Sequence, residues 1–497
     1  MKSVKIILSF VLICLIFISC AAENKKGEDT TAKAQNDIDE ETETGIERPV
    51  IPEGTSYKGY EFKILIPSIY VSEYEYIEAD IEQERGEPLA DSVYRRNRLV
   101  ESLLDIQIKA VAATADHLGM AEYIRKIILS DSDEFDAICT TNRTPNVLFR
   151  EKYLVNLFNI PNLDLSKPWW DQRMVEDMAY KKSRIYHICG DIQYFDKYGI
   201  CVLLFNKNLC LESGLEYPYD KVRNDTWTFA EFSKYVKGFS RDLNGDGVMD
   251  ENDLWGIVEN AGAIVHFLPS CGEKIATLNS DGIPVINALT ERHINVVKTL
   301  CETLSDKTIT LFADADQLRH LKDPYVDGVF KVFRDGHALF SPVSTLGGIQ
   351  DFRNMEDDFG YLPYPKFDEV QKEYFHFQSY GWSSSYSVPV TNKNLDRTGM
   401  ILEVMAGYST DLLIPALIDV SLKSKFACDT DSEEMLEIIF KTKTYDLAIE
   451  FWIGDFQSVY YQAAHNGFSK FVSSIEAQMA RAEADMANLI SVYEELK

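Results

Sequence analysis

The sequence is short of positive charge: 50 Lys and Arg face 79 Asp and Glu, giving a formal charge of −29 over 497 residues. Nucleic acids and anionic lipid surfaces are bound by Lys and Arg that displace counterions, so neither is expected as a partner. Cysteine is sparse too, nine in all and none in Cys-x-x-Cys spacing. Leaving aside Cys14 and Cys20, the odd set Cys139, Cys189, Cys201, Cys210, Cys271, Cys301 and Cys428 reads mostly as small buried hydrophobes. There is no Gly-x-Ser-x-Gly elbow, no His-Glu-x-x-His, no Walker A loop and no metal-type Cys/His cluster. These absences remove the nucleophile, zinc and ATPase motifs that announce themselves in sequence. Paired acids discriminate nothing, because among 79 carboxylates a glycosidase-like pair can be drawn almost anywhere.

What is present begins at the N-terminus. Lys2 and Lys5 precede an apolar run from Ile6 to Ile18, too short to span a bilayer comfortably, that ends in Phe17-Ile18-Ser19-Cys20. Residues 1–19 are a signal peptide on this reading. The small residue before Cys20 resembles the bacterial lipobox, despite the bulk of Phe17, which implies diacylation of Cys20. Residues 20–55 then form the lipid anchor and an acidic tether whose central stretch holds few large apolar residues beyond Ile38 and Ile46, too few to fold. Roughly 440 residues remain, beyond the size at which a single core keeps growing, so at least two lobes are expected.

Residues 242–253 have the spacing of a calcium loop. Asp242 stands at position 1, Asn244 at 3, Asp246 at 5, the Val248 carbonyl at 7, Asp250 at 9 and Asp253 at 12, with Gly247 at the sharp turn. Asp253 departs from the usual Glu. Such a Ca2+ would be structural, since every ligand position is filled by protein; a metal-free run of Asx turns is the alternative. Leu254–Val258 reads as strand, not as a second helix, which argues for a staple and against a calcium switch.

The first lobe alternates. Phe62–Ile66 is an apolar strand, Val93–Leu104 has helical spacing, and Asp105–Val111 sets Ile106 and Ile108 against Gln107 and Lys109. A helix over Ala121–Ser130 and a strand Phe135–Cys139 continue an α/β pattern with a mainly parallel sheet. Ligands sit beyond strand carboxyl ends in such sheets, so Thr141, Asn142 and Arg143 are contact candidates. Thr228 with Glu231 predicts a capping box opening a helix whose apolar face is Phe229, Phe232, Val236 and Phe239.

Several segments, in order, carry a resemblance: Ile188-Cys189-Gly190-Asp191, the aromatic loop Tyr194–Tyr198, the apolar strand ending Phe205-Asn206-Lys207, and Trp227–Phe232. Phe333–Phe340 and Phe359–Pro365 follow. Together with the lipoprotein start, the chain from about Tyr57 onward resembles the extracellular solute-binding proteins of sugar-type ABC importers (family 1). The resemblance implies a two-lobed, periplasmic-binding-protein-like type II fold with the ligand in the cleft between lobes, and an ABC permease as partner. It places lobe 1 at 56–192 and 344–412 and lobe 2 at 193–343 and 413–497, with crossings near 190–198, 340–344 and 412.

A sugar offers apolar C–H faces and a rim of hydroxyls, which call for aromatic platforms flanked by polar groups. The aromatic candidates are Trp169, Trp170, Tyr194, Phe195, Tyr198, Trp382 and Trp452, and the polar ones Asn142, Arg143, Asp191 and Asp196. Trp382 is favoured by its polar-aromatic stretch Tyr380–Tyr386; Trp227, beside the capped helix, reads as core. The expected function is capture of a carbohydrate, by the size of the chain an oligosaccharide, at the outer face of the cell membrane, without catalysis. The alternatives are a calcium-dependent surface adhesion or scaffold lipoprotein and a glycan-active hydrolase. The C-terminal stripe Ile475, Met479, Ala482, Met486, Leu489, Tyr493 and Leu496 is read as a helix packing on its own lobe, so a monomer is expected.

Overall fold

The computed structural model describes residues 47–68, 79–260, 262–344, 352, 355–422 and 430–496. The signal peptide, Cys20, most of the tether and Cys428 lie outside them. The strands are β1 Tyr60–Ile66, β2 Ile106–Ala112, β3 Ala137–Thr141, β4 Cys201–Asn206, β5 Trp255–Glu259, β6 Ala276–Leu278, β7 Pro284–Ile286, β8 Thr310–Phe312, β9 Ala338–Ser344, β10 Phe359–Leu362, β11 His376–Phe377, β12 Ser384–Ser387 and β13 Lys443–Thr444.

Two main sheets result. The first runs β12-β3-β1-β2, with β1 parallel to both neighbours and β12 antiparallel on β3. The second runs β10-β4-β9-β5-β8, parallel through β9, β5 and β8 and antiparallel at β4 and β10. In the first sheet Phe62, Ile64, Ile106 and Ile108 point into the core while Gln107 and Lys109 are exposed, as the alternation requires. Helix Pro88–Leu104 starts at a proline, whose missing N–H costs nothing in a first turn, and buries Val93, Leu99, Val100 and Leu104. Helix Met120–Leu129 buries Met120, Ile124, Ile127 and Ile128. Each such side chain contributes about 1.5–3 kcal/mol on burial.

In the second sheet β4 is buried throughout, and helix Phe229–Val236 covers it with Phe229, Phe232 and Val236 inside. Thr228 caps that helix by accepting from the Glu231 N–H at 3.3 Å. The reciprocal arm of the expected box is not made: Glu231 pairs with Lys221 and Lys234, and the Thr228 N–H goes to the Thr226 carbonyl. The opposite charges win the carboxylate. Trp227 is core, its indole donating to the Pro363 carbonyl at 2.9 Å.

The boundaries differ from the expected ones at three points. The chain leaves the first sheet near residue 190, and β10 at 359–362 still pairs with β4, so the return falls between β11 and β12 rather than near 340–344. Helix Leu395–Leu422 runs straight through 412 along the 88–104 helix, and the next helix, Thr430–Lys441, packs on β10 of the second sheet. That crossing therefore lies beyond 422. Finally, residues 47–55 are not tether: Arg48 pairs with Asp411 and lies over the Tyr408 ring, and Pro49 sits against Gly407.

Helix 395–419 is long and apolar enough to cross a membrane, yet it buries Ile401, Val404, Met405 and Leu413 within the fold and serves as a core helix. The C-terminal helix Phe471–Glu495 turns Ile475, Ala482, Met486, Leu489 and Tyr493 inward, and Tyr493 stacks on Tyr180 at 4.7 Å. The six described cysteines are all buried.

Candidate functional site

The crossing segments lie side by side and define the floor between the sheets. Residues 195–200 meet 378–382: Ile200 bridges Gln378, and the Ser379 N–H donates to the Gly199 carbonyl at 2.9 Å. A Cβ at Gly199 would collide with the Trp382 carbonyl and the Gln378 amide, so only glycine lets these strands approach. The third segment joins as β13 pairs with β11.

A buried ion network ties the segments together. The Lys443 ammonium lies 2.7 Å from Asp171 and 2.6 Å from Asp196; Lys197 lies 3.0 Å from Asp196 and 3.5 Å from Asp191, whose other oxygen accepts from Thr410 at 2.8 Å. Desolvation is the largest single influence on Lys443 and acts downward, but its two carboxylates together outweigh it and hold the ammonium above the ordinary lysine range. Asp171 is lowered: desolvation is its largest influence and acts upward, but Lys443, Tyr445 and the Met174 N–H outweigh it. Asp171, Cys189 and Asp196 bring ligand atoms within 4.8 Å of one another, but the Lys443 ammonium already bonds both aspartates.

These contacts redistribute the expected binding residues. Asp191, Asp196, Tyr194, Phe195 and Tyr198 belong to the crossing itself and are buried or nearly so, and Asp191 and Asp196 hold lysines rather than facing a ligand. Trp169 and Trp170 are also core residues, both 2 % exposed; the Trp170 indole donates to Glu403 at 2.9 Å. They back a cavity of about 620 Å3 that also involves Asp191, Ile414, Leu417 and Phe440. Burial raises the Glu403 carboxyl to about 7.

The remaining candidates do assemble. β3 ends at Thr141, and the chain turns at Asn142 into helix Arg143–Arg150. The Arg143 guanidinium lies 5.9 Å from the Trp452 ring centre, and Tyr380 meets the Trp452 ring edge-on at 5.7 Å. Trp382, two residues from Tyr380, is 41 % exposed. Trp452 is held in the left-handed region at φ 51°, unusual for a bulky residue, and opens a tight turn through Gly454 and Asp455. An aromatic shelf with one guanidinium thus stands at the carboxyl end of β3.

The shelf rests on a buried polar chain. Asn146 donates both amide hydrogens to Glu450, one to its carbonyl and one to its carboxyl, each at 3.0 Å. The Asn146 oxygen accepts from His187 Nε2 at 2.9 Å, which leaves Nδ1 to accept from Ser385 at 3.0 Å. Burial lowers His187 to about 3 and raises Glu450 to about 8, so both are neutral at pH 7. Sequence reasoning missed Asn146, His187 and Glu450, and also Tyr380, Gln457 and Tyr461. Gln457 donates to the Tyr461 hydroxyl at 2.7 Å, and burial raises that hydroxyl to about 12. A helical spacing of four between Asn142 and Asn146, and between Gln457 and Tyr461, was the available signal.

In the 242–253 loop, Asp242 accepts from the Gly245 and Gly247 N–H groups at 2.6 and 2.9 Å, Asn244 and Asp246 close Asx turns, and Asp250 accepts from the Asn252 N–H. Val248 is exposed, and the buried Asp253 accepts from the Leu243 and Asp250 N–H groups, each at 2.9 Å. The donors have the expected order along the chain, with their oxygens turned to the loop's own backbone.

No family model matches the chain, and no curated protein does. Solved structures do. A sugar transporter from Rhizobium etli in an open conformation superposes with TM-score 0.55 at 12 % identity, over 86 % of this chain and all of that one. An ABC substrate-binding protein from Listeria monocytogenes in complex with cycloalternan gives 0.51 at 13 %, over 86 % of this chain and 99 % of that one. Apo RafE from Streptococcus pneumoniae gives 0.51 at 12 %, over 87 % and 100 %. The fold is therefore the bilobal α/β architecture of these solute-binding proteins.

Proposed function

We propose that the chain is an extracytoplasmic solute-binding lipoprotein that captures a carbohydrate in the cleft and passes it to an ABC-transporter permease. The observation that carries this reading is the shelf of Arg143, Tyr380, Trp382 and Trp452 at the end of β3, drawn from three separate stretches of chain. Aromatic faces for C–H surfaces beside a guanidinium for hydroxyls are what a sugar requires. Non-catalytic capture is supported by the commitments of nearby acids: Asp171, Asp191 and Asp196 hold lysines, Glu259 holds His266 at 3.0 Å, and Glu450 is neutral. A glycosidase needs one free carboxylate opposite one acid. The neighbours named as a sugar transporter and as a substrate-binding protein in complex with cycloalternan add weight only through the shared fold.

Cys20 carries the lipid in this proposal and the acidic segment after it spaces the lobes from the membrane. Ca2+ fills the 242–253 loop as a staple, its donors supplied at the spacing described above. The chain works as a monomer. The test is a thermal-shift and calorimetric screen of the mature chain, without lipid, against neutral and charged oligosaccharides, monosaccharides and peptides. A saccharide that raises the midpoint and is recovered intact supports the reading. A saccharide consumed in the assay replaces it with the hydrolase, and a flat response to every solute with calcium still stabilising favours the adhesion protein.

A further inference from the structure

Arg143 is one of several arginines, with Arg85, Arg241 and Arg334, for which the described residues show no acid in a chain with 29 excess negative charges. Among the described residues no carboxylate pairs with it, and its only recorded contact is the face of Trp452. Arg95, Arg98, Arg125, Arg173, Arg223 and Arg397, by contrast, all hold acids.

The residues just before it are short of acceptors too. Asn142 occupies the N-cap of helix 143–150 but does not cap: its oxygen faces Cys189 Sγ at 4.0 Å, and no main-chain N–H donates to its side chain. Its Nδ2 is fully buried without an acceptor among the described residues, and the Thr141 hydroxyl is buried without a partner as well. A buried donor left unpaired costs about 1–3 kcal/mol, so two adjacent ones mark a place where an acceptor belongs. They lie at a helix N-terminus, where the first N–H groups and the macrodipole favour negative charge. The nearest acid, Glu450, reached through Asn146, is raised by burial to about 8. Also packed around it are neutral His187 and Asp446, which accepts from the Ile275 and Ala276 N–H groups, while Arg150 donates to the Phe451 carbonyl.

The geometry points to an anion subsite at the start of helix 143–150, in which Arg143, Asn142 and Thr141 receive an acidic group on the captured saccharide. This rests on the carbohydrate reading and narrows it: the solute is an acidic glycan, carrying a carboxylate or a sulfate ester, and its ring lies on Trp452. Opening of the lobes gives the group access to Asn142 and Thr141, and closure leaves it paired by donors alone. A guanidinium matches either oxyanion bidentately.

The experiment is calorimetry on the mature chain with trigalacturonate, a sulfated disaccharide, and their neutral counterparts galactotriose and the unsulfated disaccharide. At least one acidic probe is expected to bind 10-fold or more tighter than its neutral counterpart, and to weaken between about 50 and 500 mM salt. Which one does so identifies carboxylate or sulfate. Arg143→Gln, at an exposed position, is expected to weaken the acidic probe at least 10-fold more than its neutral counterpart, which loses only a hydroxyl contact, while leaving the melting midpoint in place. Thr141→Val keeps the shape and removes an unpaired hydroxyl, so it should hold or raise the unliganded midpoint while weakening the acidic probe several-fold. A structural role for Thr141 would move both the same way. Neutral probes binding as tightly as acidic ones, or Arg143→Gln weakening both equally, overturns the anion subsite and leaves carbohydrate capture standing. Binding by no saccharide of either kind overturns both.

Discussion

Replacing Lys443 by Met should be the most costly single change in the crossing region. The ammonium lies 2.7 Å from Asp171 and 2.6 Å from Asp196 at a site where all three residues are at most 8 % exposed. Met keeps the length of the side chain and most of its packing, so the loss isolates the charge. Breaking a buried pair by removing one partner costs about 3–5 kcal/mol, because the other charge stays buried and unpaired. Here two carboxylates are left, and Lys197 remains only for Asp196. The pH dependence has a definite sign. In the native chain Asp171 is lowered, so its contribution is present above the ordinary carboxylate range and is lost as pH falls through the lowered value. In the variant, burial without the ammonium raises Asp171, so its penalty is largest at pH 7 and shrinks as acid protonates it. Urea denaturation of both chains at pH 7 and near pH 4.5 measures this. The expected gap is about 3–5 kcal/mol at pH 7 and distinctly smaller at pH 4.5, and Lys443→Met with Asp171→Asn and Asp196→Asn should recover much of it. A gap below about 1 kcal/mol at pH 7, or one that widens in acid, refutes a network held by charge.

Other consequences are open to measurement. Glu450 is raised to about 8 from an ordinary value near 4.5, so its contribution is complete below the ordinary value and is lost as pH rises toward 8; Glu450→Gln should flatten the fall in stability between pH 6 and 9, and an unchanged slope would rule the assignment out. Gly199→Ala forces a Cβ onto the Trp382 carbonyl and should cost about 1–3 kcal/mol while also weakening saccharide binding, because the shelf residue moves; a variant with native midpoint and affinity contradicts the close approach. Calcium at about 100 times its dissociation constant should stabilise the chain by about 2.7 kcal/mol, and Asp242→Asn with Asp246→Asn should abolish the difference between calcium and chelator. An identical melt in both conditions removes the ion from the loop. Asp253→Ala is a poor probe of the same question, since it also strips acceptors from the Leu243 and Asp250 N–H groups.

The parts of the fold legible in the sequence are those set by local period. β1, β2 and the helices at 88–104 and 120–129 fall within a few residues of where alternation and helical spacing put them. The second return crossing was not legible, because β10 pairs with β4 from 153 residues away in register Phe359 with Asn206, and nothing local in Phe-Gly-Tyr-Leu specifies which sheet it joins. The same limit governed the site. Arg143 and Trp382 stand in polar stretches, whereas Trp452 stands in the mainly apolar run Leu447–Ile453, and the structure brings Arg143 and Trp452 together. Trp169, Trp170, Tyr194 and Phe195 have equally suggestive neighbours, but they are buried by tertiary contacts the chain makes hundreds of residues later, as with Trp170 on Glu403.

Residues 443–461 explain why shelf and crossings should act together. Within this one stretch Lys443 bonds Asp171 and Asp196, Glu450 bonds Asn146 beneath the end of β3, Trp452 carries Arg143 and Tyr380, and Tyr461 meets Gln457. The first contact sits on the crossings and the third on the ligand shelf, nine residues apart along a short, tightly turned segment with Trp452, Gly454 and Asp455 all at positive φ. The Trp452 turn and the lysine between the two aspartates therefore share one short run of backbone. Strain of about 1–3 kcal/mol at a left-handed tryptophan persists only where surrounding contacts over-determine it. Here those contacts come from Arg143, just beyond β3, and from Tyr380, in the crossing segment before β12, so the Trp452 turn is tied to two separate stretches of chain.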